Sequence, residues 1–335
     1  MSRYSAVHAW NKLGGAGDAR PTAEQIIKDA GKEDLKGQVI IITGVSSGIG
    51  AASAVALAAT GASLYLAGRS TSKAKAALPT IANLPSVHFL ELDLASNASI
   101  KAFAAEFLKQ SGGKLNVLLN NAGGVIAERK VTVDGFEQQL AINHLGAFLL
   151  FTLLKDALIA SASASNPSRV INVTSYGHRY GNVNWDDINF EKTYDASIAY
   201  AQAKTASIFT ASEIARRYGS QNLFAWSVHP GAILESAFLE NSGWDKQLID
   251  GLVGRWPSQV FKTNSQGAAT QVWAAVSDDV LAEGARGKYL EDCTVAVPKD
   301  ETDQPEWRGH ADHTYNVDDA KRLWEVSEGL LGVKA

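Results

Sequence analysis

The chain has 335 residues, and its hydrophobic share of 46% and charged share of 20% are those of a globular protein with a large core. A formal net charge of −4 and the lack of a basic run exclude the electrostatic signature of nucleic-acid binding. The single cysteine, Cys293, excludes an internal disulfide framework. The sequence contains no run of about eighteen apolar residues, so it predicts no membrane span. Residues 1–37 also lack an apolar core of signal-peptide length, so we expect a cytoplasmic protein.

From residue 38 onward, apolar runs alternate with helical segments. The predicted strands lie at 39–42, 63–67, 87–92, 116–119, 170–173, 223–228 and 287–290. The predicted helices lie at 22–29, 49–60, 98–109, 136–154, 198–217 and 317–330. Strands that are apolar throughout are buried on both faces. The alternation therefore predicts an α/β fold, a single Rossmann-type domain whose doubly wound parallel sheet carries helices on both faces.

Three segments and two insertions describe the expected organisation. Residues 1–37 form an N-terminal extension, residues 38–300 the catalytic domain, and residues 301–335 a tail whose helix packs on the core. The insertions, 176–197 and 232–263, mix polar and aromatic residues. The first insertion supplies residues suited to lining a substrate cleft: Tyr176, His178, Tyr180 and Trp185. The second supplies an apolar set suited to a mobile lid over a hydrophobic substrate: Phe238, Leu239, Trp244, Leu248 and Trp256. Packing against the extension is the plainer alternative.

A glycine-rich turn, residues 43–50, joins the first strand to its helix. Gly44 allows the tight turn, Gly48 lets a pyrophosphate approach the backbone, and Gly50 lets the helix pack on the strand. The N–H groups of the helix start, from Ser46 and Ser47 through Ile49, favour phosphate binding. A flexible loop is the alternative, but the strand before and the helix after favour a dinucleotide site.

Tyr200 and Lys204 are four residues apart in an Ala-rich helix without Gly or Pro, so both lie on one helix face. A cation beside a phenol favours the phenolate, so we expect Lys204 to lower the Tyr200 pKa from about 10. Such a tyrosine exchanges a proton with a substrate oxygen near neutral pH. A solvated helix face is the alternative for this spacing taken alone.

The ordered set of motifs resembles the short-chain dehydrogenase/reductase family in its compact, single-domain form. The motifs are the 43–50 turn, Asp93-Leu94, Asn120-Asn121-Ala122-Gly123, Asn143, Ser175, Tyr200 with Lys204, and Pro230-Gly231. Within the family, the stretch from Ile142 to Gly146 is similar to the retinol-dehydrogenase and WW-domain-oxidoreductase branch, although no WW-like domain precedes it.

The resemblance implies four catalytic roles. Tyr200 is the general acid, Lys204 lowers its pKa and holds the nicotinamide ribose, and Ser175 orients the substrate oxygen. Asn143 holds a water that links Lys204 to solvent. Taken singly, Ser175 is equally suited to capping a turn and Asn143 to bonding the neighbouring backbone.

The resemblance also implies the cofactor contacts. Asp93 with Leu94 bonds the adenine, and Asn121, Ala122 and Gly123 form the wall beside it. The loop with Pro230, Gly231 and Ile233 brings backbone against the nicotinamide. The family often has a threonine three residues after this glycine, and here Leu234 occupies that position. Glu235 and Ser236 are the candidate substitutes for the missing contact.

Arg69 follows the second strand, where a site specific for NAD would carry a carboxylate. Its guanidinium is suited to bidentate binding of a 2′-phosphate, with Ser70 and Lys73 beside it. We therefore expect NADP(H) as cofactor, with a solvated surface arginine as the alternative.

These features predict an NADP(H)-dependent oxidoreductase of the carbonyl reductase or alcohol dehydrogenase type, acting on a fairly hydrophobic small carbonyl or alcohol, without a metal. The alternatives are a non-catalytic NADP(H)-sensing module, a family member that reduces C=C bonds, and a sugar-nucleotide epimerase. Family members usually dimerise through the two long helices that contain Asn143 and Tyr200. The insertion before Tyr200 is placed to obstruct that contact, so a homodimer and a monomer both remain open.

Overall fold

The computed structural model describes residues 2–233, 242–243, 245–304 and 306–335. A central sheet is formed by β1 (Val39–Thr43), β2 (Ser63–Gly68), β3 (Val87–Glu91), β4 (Val117–Asn120), β5 (Ser168–Val173), β6 (Leu223–His229), β9 (Tyr289–Glu291) and β10 (Thr294–Val295). A separate parallel pair is formed by β7 (Ala232–Ile233) and β8 (Phe261–Lys262). The order of the central sheet is β10-β9-β6-β5-β4-β1-β2-β3, and only β9 and β10 pair antiparallel among its described strands.

The helices pack on both faces of this sheet, as predicted. They are α1 (Ala23–Asp29), α2 (Gly48–Ala58), α3 (Thr71–Ala77), α4 (Asn97–Ser111), α5 (Gln138–Leu140), α6 (Gly146–Ser161), α7 (Ala196–Tyr218), α8 (Lys246–Val253), α9 (Asn264–Val276) and α10 (Val317–Leu331). Successive side chains of β1 point to opposite faces: Ile40 and Ile42 join the core under α1, α2 and α9, and Ile41 joins the core under α4, α6 and α10. The predicted α/β fold is confirmed.

The order of the strands indicates where a ligand-binding crevice lies. The chain runs outward from β1 to β2 and β3, then returns to the other side of β1 with β4. In an open α/β sheet, ligands bind beyond the carboxyl ends of the strands where the order reverses. This reversal lies between β1 and β4, so the glycine-rich turn after β1 lies at the crevice.

A helical stretch, Gln138–Ser161, runs through α5, a π-helical turn at Ala141–Leu145 and α6, and it ends later than the predicted residue 154. It is the one described helix long and apolar enough to cross a membrane by length and composition. Its large side chains, among them Phe148, Phe151 and Leu154, are fully buried between the sheet and α10. Burial within the protein therefore accounts for its apolar character.

Both ends of the chain dock on the central layers. Arg20 of the N-terminal extension is buried and donates to the backbone oxygens of Val260 and Phe261, beside β8. At the other end, Trp324 of α10 packs its ring 4.9 Å from that of Phe148, measured between centroids. The lid residues Phe238, Leu239 and Trp244, and the loop residues Leu234, Glu235 and Ser236, lie outside the described residues.

Candidate active site

Six of the predicted site residues follow the carboxyl ends of six parallel strands. Each comes one or two residues after its strand: Gly44, Arg69, Asp93, Asn121, Ser175 and Pro230. Carboxyl ends of parallel strands share one edge of a sheet. The structure therefore brings these residues to the edge at which the crevice lies.

The turn after β1 requires glycine at two positions. Gly44 has a φ of +74°, and a Cβ built on it would lie 2.7 Å from the Cα of Ala122. A Cβ on Gly50 would overlap the Gly44 oxygen and the amide nitrogen of Asn121. Asn121 donates from Nδ2 to the oxygen of Thr43 at 2.9 Å, which fastens the end of β4 to the end of β1. Asn121 thus shapes the turn in addition to lining the crevice.

The start of α2 offers donors to an anion. Ser47 is the N-cap, but its side chain makes no capping hydrogen bond, and both Ser46 and Ser47 are exposed. The first N–H groups of a helix have no partners within the helix, and they carry the positive end of its dipole. Ile49 instead packs inward: a Cβ on Gly267 of α9 would meet both Ile49 and Ile233. The start of α2 therefore offers the donors that the phosphates of a dinucleotide require, and Gly267 of α9 packs closely against Ile49 and Ile233.

Arg69 is exposed at the start of the β2–α3 connection. Ser70 is the N-cap of α3 and accepts a hydrogen bond from the backbone of Lys73 at 3.3 Å, so its oxygen already has a structural partner. Asp93 has one as well, because its Oδ1 accepts from the Ala95 backbone at 2.9 Å. Leu94 is buried. The Ser70 hydroxyl and one carboxylate oxygen of Asp93 therefore cap the local backbone, whatever they contribute to cofactor binding.

Ser175, Tyr200 and Lys204 come together between β5 and α7. Ser175 caps the 3₁₀ turn Tyr176–Tyr180, accepting from the Gly177 backbone at 3.0 Å, and it is also hydrogen-bonded to Tyr200. The Lys204 ammonium is buried, donates to the oxygen of Val173 at 3.0 Å and lies 5.5 Å from the centre of the Tyr200 ring. Two hydroxyls and an ammonium thus share one partly buried corner of the crevice.

The prediction that the Tyr200 pKa is lowered is wrong for the protein without bound cofactor or substrate. Burial raises the pKa of Tyr200 well above its ordinary value, and the hydrogen bond from Ser175 opposes that rise. Burial also lowers the pKa of Lys204 to about 8. Desolvation disfavours the charged form of each group, and it is the largest cause of both shifts. The phenol is therefore neutral and ready to donate its proton.

Asn143 lies in the π-helical turn, and its side chain bonds a neighbouring loop. Its Nδ2 donates to the oxygens of Gln139 and Gly124, and its Oδ1 accepts from the Gly124 backbone at 3.0 Å. A Cβ on Gly123 would lie 3.0 Å from the Lys204 ammonium, so this loop passes directly over Lys204. The Asn143 carbonyl accepts from Ser207 at 2.9 Å. Asn143 therefore fixes the loop against Lys204.

Sequence reasoning missed a buried ionic cluster beneath the Pro230-Gly231 loop. The Lys262 ammonium lies 2.7 Å from a carboxylate oxygen of Asp292 and also contacts the Pro230 oxygen at 3.3 Å. Gly231 has a φ of +92°, and a Cβ there would meet Lys262 at 2.9 Å. Arg308 pairs with the second oxygen of Asp292 at 3.0 Å. The signal was absent from the sequence because the partners come from separate segments.

An aromatic group lies beside the Ser175 turn. The ring of Tyr176 lies 5.3 Å from Trp256, and Trp256 lies 5.0 Å from Trp307, between centroids. Tyr180 is 63% exposed. Rings from the turn, from the second insertion and from the C-terminal tail thus form a hydrophobic wall next to the hydroxyls.

A family model for the short chain dehydrogenase matches residues 38–246. The chain is 41% identical over 331 residues to the short-chain dehydrogenase/reductase prx1 of Penicillium roqueforti, covering 97% of this chain and 94% of the relative. It is 36% identical over 305 residues to retinol dehydrogenase 12 of Homo sapiens, covering 90% and 88%. Among solved structures, the Pseudomonas aeruginosa RhlG/NADP active-site complex is similar in fold, with a TM-score of 0.62, 22% identity and coverage of 78% and 96%.

The family match spans the turn, the Ser175 strand end and the Tyr200 helix, which are the elements that form the crevice. The relatives extend the match over nearly the whole chain at more than 30% identity. The chain therefore belongs to the short-chain dehydrogenase/reductase family of oxidoreductases.

Proposed function

We propose that the protein is an NADP(H)-dependent carbonyl reductase or alcohol dehydrogenase that acts on a fairly hydrophobic substrate, with Tyr200 as general acid and base. The observation that carries the proposal is the corner where Tyr200, Ser175 and Lys204 meet, beside the glycine-rich turn. Two hydroxyls and an ammonium near a dinucleotide site are the groups that a carbonyl reduction requires.

The nicotinamide, when bound, supplies hydride to the carbonyl carbon or accepts it from the alcohol. The Tyr200 hydroxyl gives its proton to the substrate oxygen during reduction and takes it back during oxidation. The Ser175 hydroxyl, which bonds Tyr200, orients that oxygen. Lys204, with a pKa of about 8, exchanges protons near neutral pH and can restore the proton that Tyr200 loses. Asn143 holds the loop that covers Lys204.

The preference for NADP over NAD rests on Arg69. It is exposed at the end of β2, where the adenosine ribose binds in doubly wound folds, and it offers a planar pair of donors for a phosphate. RhlG, which is similar in fold, is described in complex with NADP. Arg69→Ala should weaken NADPH binding by about tenfold or more and leave NADH binding nearly unchanged. Equal affinities of the unmodified protein for NADH and NADPH at moderate salt would contradict this preference.

The hydrophobic substrate rests on the wall of Tyr176, Trp256 and Trp307. Apolar and aromatic walls with a few polar groups are typical of small-molecule sites. Retinol dehydrogenase 12, a relative, carries an apolar alcohol in its name. Bulky ketones and aldehydes are therefore the substrates to test first.

The deciding experiment follows NADPH oxidation over a panel of bulky ketones and aldehydes, with the unmodified protein and Tyr200→Phe. Tyr200→Phe keeps the ring and removes the proton, so turnover should fall by about 10²–10⁴-fold while NADPH binding persists. Ser175→Ala should lower turnover without changing NADPH affinity. NADPH binding without turnover of any substrate would favour a sensing module, and undiminished turnover by Tyr200→Phe would remove Tyr200 from the mechanism.

The proposal also includes a cytoplasmic location and an oligomeric state that is either a homodimer or a monomer. The only cysteine, Cys293, is buried and not in a disulfide, as a reducing compartment allows. Fractionation of cells that express the tagged chain tests the location. Sedimentation of the purified chain distinguishes a homodimer from a monomer.

A further inference from the structure

We propose that His178 is a positioning residue for Ser175 and that it couples the Ser175 turn to the C-terminal tail through Ala311. The inference rests on the proposed function, in which Ser175 orients the substrate oxygen. It gives a part in catalysis to the tail, which lies outside the residues 38–246 that the family model matches.

His178 lies in the turn Tyr176–Tyr180, and none of its surface is exposed. Its Nδ1 lies 2.7 Å from the backbone oxygen of Ser175, and its Nε2 lies 3.2 Å from the backbone nitrogen of Ala311. A carbonyl oxygen only accepts and a backbone N–H only donates. Both contacts are therefore satisfied by one neutral tautomer, in which Nδ1–H donates to Ser175 and Nε2 accepts from Ala311.

The same imidazole joins parts of the chain that are distant in sequence, since His178 and Ala311 are 133 residues apart. Its ring lies 4.8 Å from that of Tyr289 in β9 and 6.2 Å from that of His313 in the tail, between centroids. Burial lowers the pKa of His178 to about 3, so the neutral tautomer persists across the working range of pH. The bridge is thus a permanent part of the fold.

Two further side chains, those of Arg179 and Thr205, hold the turn against its neighbours on either side. Arg179 donates from Nη1 to the backbone oxygen of Arg308 at 2.9 Å, which is a second bond from the turn to the tail. Thr205, next to Lys204 in α7, donates to the backbone oxygen of His178 at 3.3 Å and to that of Gly181 at 2.8 Å. The turn that begins at Ser175 is therefore clamped between the tail and the Tyr200 helix.

The clamp acts on the orientation of the Ser175 hydroxyl. Its oxygen already accepts from the Gly177 backbone within the turn, so the position of Oγ follows the position of the turn. His178 fixes the peptide that leaves Ser175. Rotation of that peptide would move the hydroxyl relative to Tyr200, and misplacement by about 1 Å costs about 10²-fold in rate.

Two substitutions separate the two ends of the bridge. His178→Asn places an amide N–H near Nδ1 and keeps the bond to Ser175, whereas His178→Gln reaches the Nε2 position and keeps the bond to Ala311. We expect kcat to fall by about 10–100-fold in His178→Gln and by less in His178→Asn, with KM for NADPH unchanged in both. His88→Gln, in which the lost imidazole stacks on Tyr65 at 4.7 Å in the opposite half of the sheet, is the control that should keep kcat.

A third variant tests the tail directly. Ala311 has a φ of −76°, which proline adopts, so Ala311→Pro removes the N–H that His178 accepts and places a ring carbon against Nε2, which breaks the bridge at its tail end. We expect a lower kcat and an unchanged dissociation constant for NADPH. This variant decides the question if His178→Gln does not fold.

The outcomes separate this inference from the proposed function. If Ser175→Ala turns over substrate as fast as the unmodified protein, the proposed function fails and the role of His178 fails with it. If Ser175→Ala is inactive while His178→Gln and Ala311→Pro keep the full kcat, only the positioning role is overturned. A general loss of stability would lower His178→Asn and His178→Gln alike, so partial rescue by Asn is the signature of positioning.

Discussion

Two regions of the molecule are stabilised by different interactions. In the nucleotide region, residues 38–124, the turn after β1 is fastened to the end of β4 by neutral groups. Thr43 Oγ1 accepts from the Asn121 and Ala122 backbones at 3.0 and 2.9 Å. In the C-terminal region, residues 138–335 with the docked N-terminal extension, the loop beside Gly231 rests on buried charges. A local hydrogen-bonded turn can be recognised from a few residues in order, whereas a cluster of charges cannot.

The charged cluster gathers four segments around one carboxylate. Asp292 pairs with Lys262 at 2.7 Å, with Arg308 at 3.0 Å and with His8 at 3.5 Å. Burial acts to raise the pKa of Asp292, but Lys262 above all, with His8 and Arg308, holds it below its ordinary value. Burial and Asp292 raise the pKa of the adjacent Glu291 to about 7. The comparison predicts that the C-terminal region is sensitive to pH and the nucleotide region is not.

Acid should give the largest effect. Burial lowers the pKa values of His144, His178 and His229 to about 3, and all three lie in the C-terminal region. Their stabilising contribution is present above the unfolded pKa of about 6.5 and is lost as pH falls, because the unfolded chain binds protons first. Between pH 7.5 and 4.5 the three histidines lose about 8 kcal/mol together, and Glu291, acting in the opposite sense, returns about 3. His8 and His313, whose pKa values burial also lowers, act in the same sense as the three histidines, so the free energy of unfolding should fall by an amount on the order of 5 kcal/mol.

Urea unfolding at pH 7.5 and 4.5, followed by tryptophan fluorescence, measures this loss. In His229→Gln the loss should be smaller by about 3 kcal/mol, because one titrating group is gone. In Glu291→Gln it should be larger by a similar amount, because the compensating group is gone. Equal stability of the unmodified protein at the two pH values would contradict the prediction.

Removing the central carboxylate should give the next effect. Asp292→Ala leaves the buried Lys262 ammonium without its carboxylate, while Arg308 keeps Glu291 at 3.7 Å. The unpaired ammonium should lower the free energy of unfolding by about 3–5 kcal/mol at pH 7.5. Asp250→Ala is the matched control: its ion pair with Lys246 spans 2.8 Å, but the two side chains are 62% and 86% exposed. Exposed pairs contribute about 0–1 kcal/mol, so similar losses in both variants would remove the cluster from the account of stability.

The contrast between local hydrogen-bonded turns and clusters of distant charges also explains which features the sequence predicts and which it does not. The sequence predicts the fold, the turn at Gly44 and the proximity of Ser175 to Tyr200, because all three follow from the order of strands, helices and motifs along the chain. Helix α9 was missed because residues 266–276 are buried on all sides, which leaves no amphipathic period. The Tyr200 pKa was predicted in the wrong direction because desolvation depends on depth in the fold. Lys262 and Asp292, 30 residues apart, gave no signal at all.

The smallest effect belongs to the nucleotide region. Thr43→Val keeps the shape of a fully buried side chain and removes the acceptor of two backbone N–H groups, so it should lower the free energy of unfolding by about 1–3 kcal/mol. Thr152→Val is the control, because Thr152 only donates to the Phe148 oxygen within its own helix and its loss leaves no N–H without an acceptor.

The loss in Thr43→Val should be the same at pH 7.5 and 4.5, since neither a hydroxyl nor a backbone amide titrates in this range. Urea unfolding at the two pH values measures it alongside the histidine variants. A pH-dependent loss would require a titrating group coupled to the turn at Gly44. The nucleotide region would then not be stabilised by neutral groups alone, and its contrast with the charged C-terminal region would be contradicted.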